Sequence, residues 1–396
     1  MTGPGREVVL VEAVRTPIAR GHEEKGWLRQ NHPTDLLAAL FAALIDRSGV
    51  DPADVGDVVS GCVHQFGVQQ YNIARTAWLA HGFPKETPAT MVDRACGSGQ
   101  QAINAIAAAI AAGVYDFGIG AGVEMMSAVS FGDAEAIQQQ WGRAFTPAFL
   151  ERYPFVGQGE GAEMIADDWD LTRRDLDEFS AASHVKAAHA TEAGAFVREV
   201  VPIAGANGSG PIEVTHDQGI RADTTVETLS GLKTVFRPEA DGGRITAGSS
   251  SQISDGAAAV LLAERSIAER NGLRVRARIV DQVAIGVDPV KMLEGPIPAT
   301  TKILERNGLS INDIDRFECN EAFAPVVLAW ERAHKVDPER VNVRGGAIAL
   351  GHPVGASGAR LVTTLLHILE DEDLERGLVT MCCGGGLGTA TLIERV

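Results

Sequence analysis

Apolar positions along the chain follow two rhythms that alternate. Val8-Val9-Leu10-Val11-Glu12-Ala13-Val14 is a nearly unbroken apolar run of strand length, which predicts a buried strand. From Thr34 to Ser48 the spacing changes to three and four. Leu36, Leu37, Leu40, Phe41 and Leu44 share one side, and Thr34 is the expected N-cap. Val55 to Gly61 reads as a strand again. So do Pro88 to Val92 and Tyr115 to Ala121, with an Ala-rich helical stretch, Gln100 to Ala112, between them. Strand, turn, helix, strand is the order of an α/β fold.

Met125 to about Asp241 breaks the rhythm. The segment is more polar, interrupted by Gly and Pro, and its clearest helix is Thr172 to Ala193, opened by Thr172 and Asp175. It is expected to be an insertion, a loop or lid domain over the α/β core. Regular pattern resumes at Thr246, and Ser251 to Ala263 runs from a polar turn into an apolar strand. From about Val275 the first theme returns. Val341 to Ala349 leads into the Gly-rich turn Leu350 to Gly358, then a helix to Leu369 and a strand at Leu378 to Met381. Strand, Gly-rich turn, helix, strand thus occurs twice, which points to an internal duplication. The expected division is an N-terminal α/β half at 1–124, an inserted domain at 125–245, the return of the first half at 246–273, and a C-terminal α/β half at 274–396.

Composition narrows this picture. The 396 residues are 45% hydrophobic and only 5% aromatic, with 44 glycines, which favours an Ala/Gly-rich α/β enzyme over a β-sandwich. A net charge of −17 argues against a nucleic-acid partner, which needs a basic face, but leaves room for an anionic ligand held by local groups. Five cysteines in so long a chain do not make a disulfide framework. Met1 to Glu7 has no signal pattern, and no apolar run approaches the ~20 residues that span a membrane. The expectation is a soluble cytoplasmic protein with no membrane insertion.

Candidate chemistry gathers at the Gly-rich turns. Cys96 lies in Asp93-Arg94-Ala95-Cys96-Gly97-Ser98-Gly99, between a strand and a helix. The positive end of the helix macrodipole there is expected to favour thiolate, although a free cysteine is most often a small buried packing group. His352, between Gly351 and Pro353, is a candidate general base for a thiol. Cys382 and Cys383 precede Gly384-Gly385-Gly386, whose free N–H groups suit an oxyanion hole. Asn320, after the run Ile314 to Cys319, can hold a water or a carbonyl oxygen, or simply cap a helix. No C-x-x-C pair or zinc-type His spacing accompanies these residues, so no metal is expected.

Together these residues carry a resemblance. Over essentially its full length the chain resembles the thiolases, the 3-oxoacyl-CoA thiolases and acetyl-CoA acetyltransferases. The similarity runs from Glu12-Ala13-Val14-Arg15-Thr16-Pro17-Ile18 through Cys96-Gly97-Ser98-Gly99 and Gly122-Val123-Glu124-Met125 to Cys382–Gly388. Its most specific motifs are Asn320-Glu321-Ala322-Phe323-Ala324 and Gly345-Gly346-Ala347-Ile348-Ala349-Leu350-Gly351-His352-Pro353. The details Gln65-Phe66-Gly67 and Ser251-Gln252-Ile253-Ser254-Asp255 are similar to actinobacterial thiolases of fatty-acid and steroid side-chain degradation.

The resemblance implies a duplicated α/β/α/β/α layered fold with an inserted loop domain, and a homodimer or homotetramer. It implies Cys96 as acyl-carrying nucleophile, His352 as its base, and Cys382 as the group that moves the α-carbon proton. Asn320 with His352 would stabilise the enolate, and the N–H groups of Cys96 and Gly384 would form a second oxyanion hole. Ser251 would contact pantetheine, with Arg221 and Thr228 near the nucleotide of CoA, which is substrate rather than resident cofactor. Biosynthetic condensation of two acetyl-CoA uses the same residues. A ketoacyl-synthase-like enzyme would use Cys-His-His or Cys-His-Asn, and a silent CoA or lipid carrier would not need the full set. Gln158, in Phe155-Val156-Gly157-Gln158-Gly159, departs from the family's usual His-Met-Gly pattern at the acyl pocket and leaves room for a longer or bulkier chain.

Overall fold

The first apolar run forms β1 (Val8–Arg15), and the other strands are β2 (Ala19–Arg20), β3 (Val55–Gly61), β4 (Ala89–Val92), β5 (Phe117–Met125), a hairpin of β6 (Ile203–Asn207) and β7 (Gly210–Val214), β8 (Ser254–Glu264), β9 (Ala277–Gly286), β10 (Arg316–Cys319), β11 (Arg376–Cys383) and β12 (Leu387–Arg395). These come from a computed structural model that describes residues 5–396; the first four residues of the polar Met1–Glu7 start lie outside it. The main sheet runs β10-β11-β12-β9-β1-β8-β5-β3-β4, with β2 beside β8. The halves join where β1 meets β9, at Val9↔Arg278 and Leu10↔Ala277. Parallel pairs lie toward each outer edge, β3 with β4 and β5 on one side and β10 with β11 on the other, and antiparallel pairs lie toward the seam.

Side-chain packing shows the layers. One core joins the N-terminal strands to the Pro33–Ser48 helix, through Val9, Val58, Ile119, Leu36, Leu40 and Phe41. A second holds Ile103, Ile106, Leu361 and Leu365 of two helices between Val8, Val59 and Val260 of one half and Val379, Met381 and Ile393 of the other. A third covers the far side of the C-terminal strands with Ile303, Val327 and Trp330 of two further helices. The order is helix, sheet, helix, sheet, helix, the duplicated five-layer arrangement that the resemblance implies.

The middle layer brings the two Gly-rich turns together. Helices Ser98–Ala111 and Ser357–Asp371 both start at such a turn, and their first residues touch. A Cβ on Gly99 would stand 2.9 Å from the Gly355 carbonyl oxygen, and one on Gly358 would stand 2.4 Å from the Gln100 nitrogen. Glycine at both positions permits backbone contact, so the turns before the two helices converge.

Two local expectations change. Thr34 is not the N-cap of its helix: His32 is, its Nδ1 accepting from Thr34 N at 3.2 Å, because Pro33 takes the first helical position. Val341 to Ala349 is not a strand. It meets β10 only at Phe317↔Val341 and then turns, with Asn342 and Gly345 at φ 45° and 73°. Two of its N–H groups go to side chains, Gly346 N to Ser183 Oγ and Ile348 N to Glu321 Oε2, each at 3.1 Å, and Gly345 N and Ala349 N close turns on the Asn342 and Gly346 carbonyls.

Residues 125–245 pack against both halves. Ile165 and Leu176 pack with Phe323 and Ile348, Ile203 and Val214 with the first half, and Phe196 with Ile18 and Leu350. Glu199 and Asp217 also grip fully buried Arg15 of β1, at 2.5 and 2.7 Å. The helix at Arg173–Glu192 does open as expected, on a Thr172–Asp175 capping box.

Candidate active site

Cys96 sits on a turn that is built from its own neighbours. β4 ends at Val92, and the chain reverses through Ala95 at φ 46° before the helix begins at Ser98. Asp93 Oδ1 accepts from Ala95 N at 2.7 Å. Ser98 Oγ accepts from Arg94 N at 2.9 Å and donates to the Ala95 carbonyl at 2.6 Å. This ties down a conformation that residues other than glycine rarely adopt. The sulfur is buried, and the N–H groups of Gly384 and of Cys96 itself face it. Burial nevertheless dominates and pushes the thiol up to about 11, with Glu124 and Asp93 adding to the rise. Loss of hydration outweighs the two N–H donors, which favours the thiol, against the thiolate expected from the helix end.

His352 is also buried, but distant parts of the chain hold it. Its N–H lies 3.1 Å from the Gln252 carbonyl and 3.0 Å from Ser254 Oγ. Its Nδ1 is 2.6 Å from Ser357 Oγ, and that hydroxyl donates its one proton to the Pro353 carbonyl at 2.9 Å. Nδ1 must then carry the ring proton and Nε2 the free lone pair. Nε2 faces Asn320 Nδ2 at 3.4 Å. Burial, reinforced by the charge of Arg360, lowers the imidazole to about 4, so it is neutral near pH 7. Asn320 Oδ1 is buried beside it with no hydrogen-bond partner in the protein.

The end of β11 completes the cluster. Cys382 and Cys383 point to opposite faces of the strand. Cys383 packs in the middle layer against Gly97, whose N–H it accepts, and Cys382 packs with Phe323 and Ile348. Both thiols are raised, first by burial and then by the nearby Cys96 sulfur. Gly385 and Gly386 follow at φ 80° and 76°, a turn that aims Gly384 N–H at Cys96. Gln158 opens the Gln158–Asp168 helix, with its amide nitrogen 3.2 Å from where a Gly384 Cβ would lie. Cys319 is buried in the outer C-terminal core, near enough to Cys382 to add to the rise of its thiol.

Cys96, Cys382 and Gly384 thus gather at one point, and Asn320 pairs with His352. Of the other expected contacts, Ser251 is half-buried and its N–H donates to the Ala322 carbonyl at 3.0 Å, within the Asn320 motif. Arg221 and Thr228 lie apart, on the exposed loop that follows the β6–β7 hairpin. The Thr228 hydroxyl is engaged in capping the short Val226–Ser230 helix, donating to the Thr225 carbonyl at 2.9 Å.

Residue-by-residue reasoning missed two carboxylates. Buried Glu124, at the end of β5, accepts from Val63 N, His64 N, Gln69 Nε2 and Gly355 N at 2.8–3.1 Å. Glu321 accepts from Asn342 Nδ2 at 3.0 Å, Ser183 Oγ at 2.7 Å and Ile348 N at 3.1 Å. An acid inside an otherwise apolar strand was the available signal for the first. Among the described residues no group of three His, Cys, Asp or Glu side chains is placed to hold a metal, and no helix is long and apolar enough to cross a membrane.

Comparison with known proteins gives the same answer throughout. Two family models match, "Thiolase, N-terminal domain" over residues 8–266 and "Thiolase, C-terminal domain" over residues 273–395. The chain is 46% identical to a steroid 3-ketoacyl-CoA thiolase, FadA6, of Mycobacterium tuberculosis, covering 100% of this chain and 97% of that one. It is 42% identical to a beta-ketoadipyl-CoA thiolase of Pseudomonas aeruginosa, over 99% of this chain and 100% of the other. The crystal structure of the Bacillus anthracis acetyl-CoA acetyltransferase superposes with a TM-score of 0.89 at 37% identity, covering 99% of each chain.

Proposed function

The chain belongs to the thiolase family, and from that premise we propose that it is a 3-oxoacyl-CoA thiolase whose Cys96 carries the acyl group. The observation that carries the assignment of roles is the Cys96 sulfur facing two backbone N–H groups, with Cys382 beside it. Cys96 Sγ attacks the C3 carbonyl carbon of the 3-oxoacyl-CoA while its proton passes to His352 Nε2. The N–H groups of Cys96 and Gly384 receive the negative oxygen that forms. The C2–C3 bond then breaks and its electron pair becomes the enolate of acetyl-CoA. Asn320 and His352 stabilise the enolate oxygen, and Cys382 protonates C2. In the second half-reaction the CoA thiol gives its proton to Cys382 and attacks the Cys96 thioester. The shortened acyl-CoA leaves and Cys96 recovers its proton from His352.

A thiol near 11 and an imidazole near 4 do not exchange a proton at rest. Transfer is therefore coupled to carbon–sulfur bond formation, which also protects the free enzyme's sulfur from stray electrophiles. Nucleophile, base and donors are all protein groups, so the reaction calls for no resident cofactor or metal. The enzyme acts in the cytoplasm as a homodimer or homotetramer. Support for association comes from β4, which ends the main sheet, is only partly buried and leads directly into the Cys96 turn.

For the substrate we favour an acyl group longer or bulkier than acetoacetyl. Support comes from Gln158 beside Gly384, where the family more often places Met, and from the steroid thiolase among its relatives. A thiolysis panel over 3-oxoacyl-CoA chain length, including a steroid side-chain thioester, tests this with native protein and Cys96→Ala. The expected outcome is turnover that favours longer chains and vanishes in the folded variant. Best turnover on acetoacetyl-CoA would move the assignment to an acetyl-CoA acetyltransferase, and substantial residual turnover in Cys96→Ala would remove Cys96 from its role.

A further inference from the structure

Arg15 and Arg360 are both among the large side chains that are wholly buried, yet they are held in opposite ways. Every nitrogen of the Arg15 guanidinium has a partner. Nε donates to Glu199 at 2.5 Å, and Nη1 and Nη2 donate to Asp217 at 2.7 and 3.0 Å. Among the described residues Arg360 makes one side-chain bond, from Nη1 to Glu318 Oε2 at 2.8 Å. Its Nε and Nη2, and Oε1 of Glu318, are buried with no hydrogen-bond partner among those residues. Burial pushes the Glu318 carboxyl up to about 7; Arg360 opposes that rise, while Glu321 and Glu199 add to it. Such a pair is a poor source of stability, because desolvating both charges costs more than one bond returns.

The pair instead joins the two elements that meet at the enolate oxygen. Glu318 lies on β10, two residues before Asn320. Phe317 and Cys319 face the outer core, while Glu318 and Asn320 face the helix of the middle layer, as strand alternation requires. Arg360 lies in the first turn of the Ser357–Asp371 helix, its N–H donating to the Ala356 carbonyl at 3.0 Å. Ser357, in the same turn, holds His352 Nδ1. One ion pair thus spans the strand that ends at Asn320 and the turn that fixes the His352 ring. Another bond between this strand and this helix, Arg316 to Glu372 at 2.8 Å, lies at their far ends. Near the site, Asn320 Nδ2 and His352 Nε2 stand 3.4 Å apart, and the charge of Arg360 is felt at the imidazole.

We propose that Glu318 and Arg360 are positioning residues for the enolate step: their ion pair sets the spacing of Asn320 and His352 around the enolate oxygen. The inference rests on the thiolase reading, which assigns those two residues to that oxygen. Its test replaces both partners by apolar residues of similar volume, Glu318→Leu with Arg360→Met, alongside Arg360→Lys. Removing both charges together leaves no orphan charge, so the double variant is expected to melt at or above the native temperature. Two reactions of acetyl-CoA are then followed. Deuterium uptake at C2 from heavy water needs the enolate; exchange of its CoA for labelled CoA needs only the Cys96 thioester. In the double variant deuterium uptake is expected to fall about 100-fold, the scale of an ångström-sized misplacement. Its KM changes little, and CoA exchange falls by a smaller factor. Arg360→Lys, which keeps the charge but not the planar fork, recovers part of the loss. Selective nitrogen-15 labelling reads the same spacing without turnover. The Asn320 side-chain amide and the His352 ring resonances should shift in the double variant and lie closer to native in Arg360→Lys. Native-like deuterium uptake in the double variant, an equal loss in both reactions, or unmoved resonances overturns the proposal. So does a double variant that melts well below the native protein, since the pair is then a stabilising element. If the resonances move as expected but the native protein catalyses neither exchange, the brace stands and the thiolase reading fails.

Discussion

The turn that carries Cys96 and the turn that carries His352 occupy equivalent places in the two halves, each at the start of a central helix, yet they are held by opposite means. Around Cys96 the fixing bonds run among Asp93, Arg94, Ala95 and Ser98, all within a few residues. Around His352 they come from Gln252, Ser254 and Glu124, about 100 to 230 residues away in sequence. The nucleophile is set by a local fold of the chain. The base is set by the assembly of both halves, so its geometry exists only once the molecule has closed. That difference suits the proposed chemistry: Ser357 sets the tautomer of the buried neutral imidazole within its own turn, while its approach to Asn320 depends on backbone bonds from remote parts of the chain.

The sharpest way to break the comparison is to remove the base and leave its turn intact. In His352→Asn the backbone bonds to Gln252 and Ser254 are kept while Nε2 is lost. Thiolysis kcat is expected to fall about 10²–10⁴-fold, the usual range for a general base, with little change in melting temperature at pH 7. The pH dependence supplies a second check. The folded imidazole, lowered to about 4 by burial, lies below its ordinary value of 6.5. Between those values the unfolded chain binds the extra proton, so His352 lowers stability as pH falls through that window and costs nothing above it. His352→Asn should therefore lose less stability than the native protein between pH 6.5 and 4. A normal kcat, or an unchanged acid slope, would contradict the assigned role and environment.

Glu124→Gln tests whether the second turn truly depends on remote bonds. Burial opposes the Glu124 charge, but bonds from His64, Val63 and Gln69 outweigh it and hold the carboxyl below its usual range. Its contribution is thus present above the unfolded value and is lost as pH falls through the lower folded one. Replacement by the amide is expected to cost about 1–3 kcal/mol near neutral pH, with the gap to the native protein closing in acid. Amide exchange at Gly355, Val63 and His64 should quicken while Ala95 and Gly97 stay protected. Exchange that rises equally at both turns would mean that they are not held independently.

The same contrast explains what was legible in the sequence. Cys96 stood out from its local setting, because strand, turn, glycine and helix are all written within a dozen residues. The layers were legible too, from period-two and period-three-to-four patterns in each half. His352, Cys382 and Asn320 became convincing only through their motifs, since their partners lie far along the chain. Local reasoning failed where tertiary bonds replaced local ones. Val341 to Ala349 looked like a strand, but it turns, with Ser183 and Glu321 taking the N–H groups of Gly346 and Ile348. The Cys96 thiolate was expected from the helix end alone, and only the folded structure shows how completely the sulfur is removed from water. Residues 125–245 read as an insertion over the core because they are polar and broken by Gly and Pro; the two carboxylates by which that segment grips Arg15, across about 200 positions, carried no such local signal.

The smallest expected effect belongs to the local turn. Ser98→Ala removes a hydroxyl that accepts from Arg94 N and donates to the Ala95 carbonyl, leaving Ala95 at φ 46° with one restraint fewer. The loss should be about 1 kcal/mol, the cost of a missing cap-type hydrogen bond, read as a lower denaturation midpoint with an unchanged slope. Because those bonds do not leave the turn, exchange at Gly355 and the acid dependence set by Glu124 should match the native protein. Alkylation of Cys96 should quicken modestly as its turn loosens. A shift in Gly355 exchange would show that strain at Ala95 reaches the second turn through the Gly99 and Gly358 contacts, and the local character inferred for the nucleophile would fall.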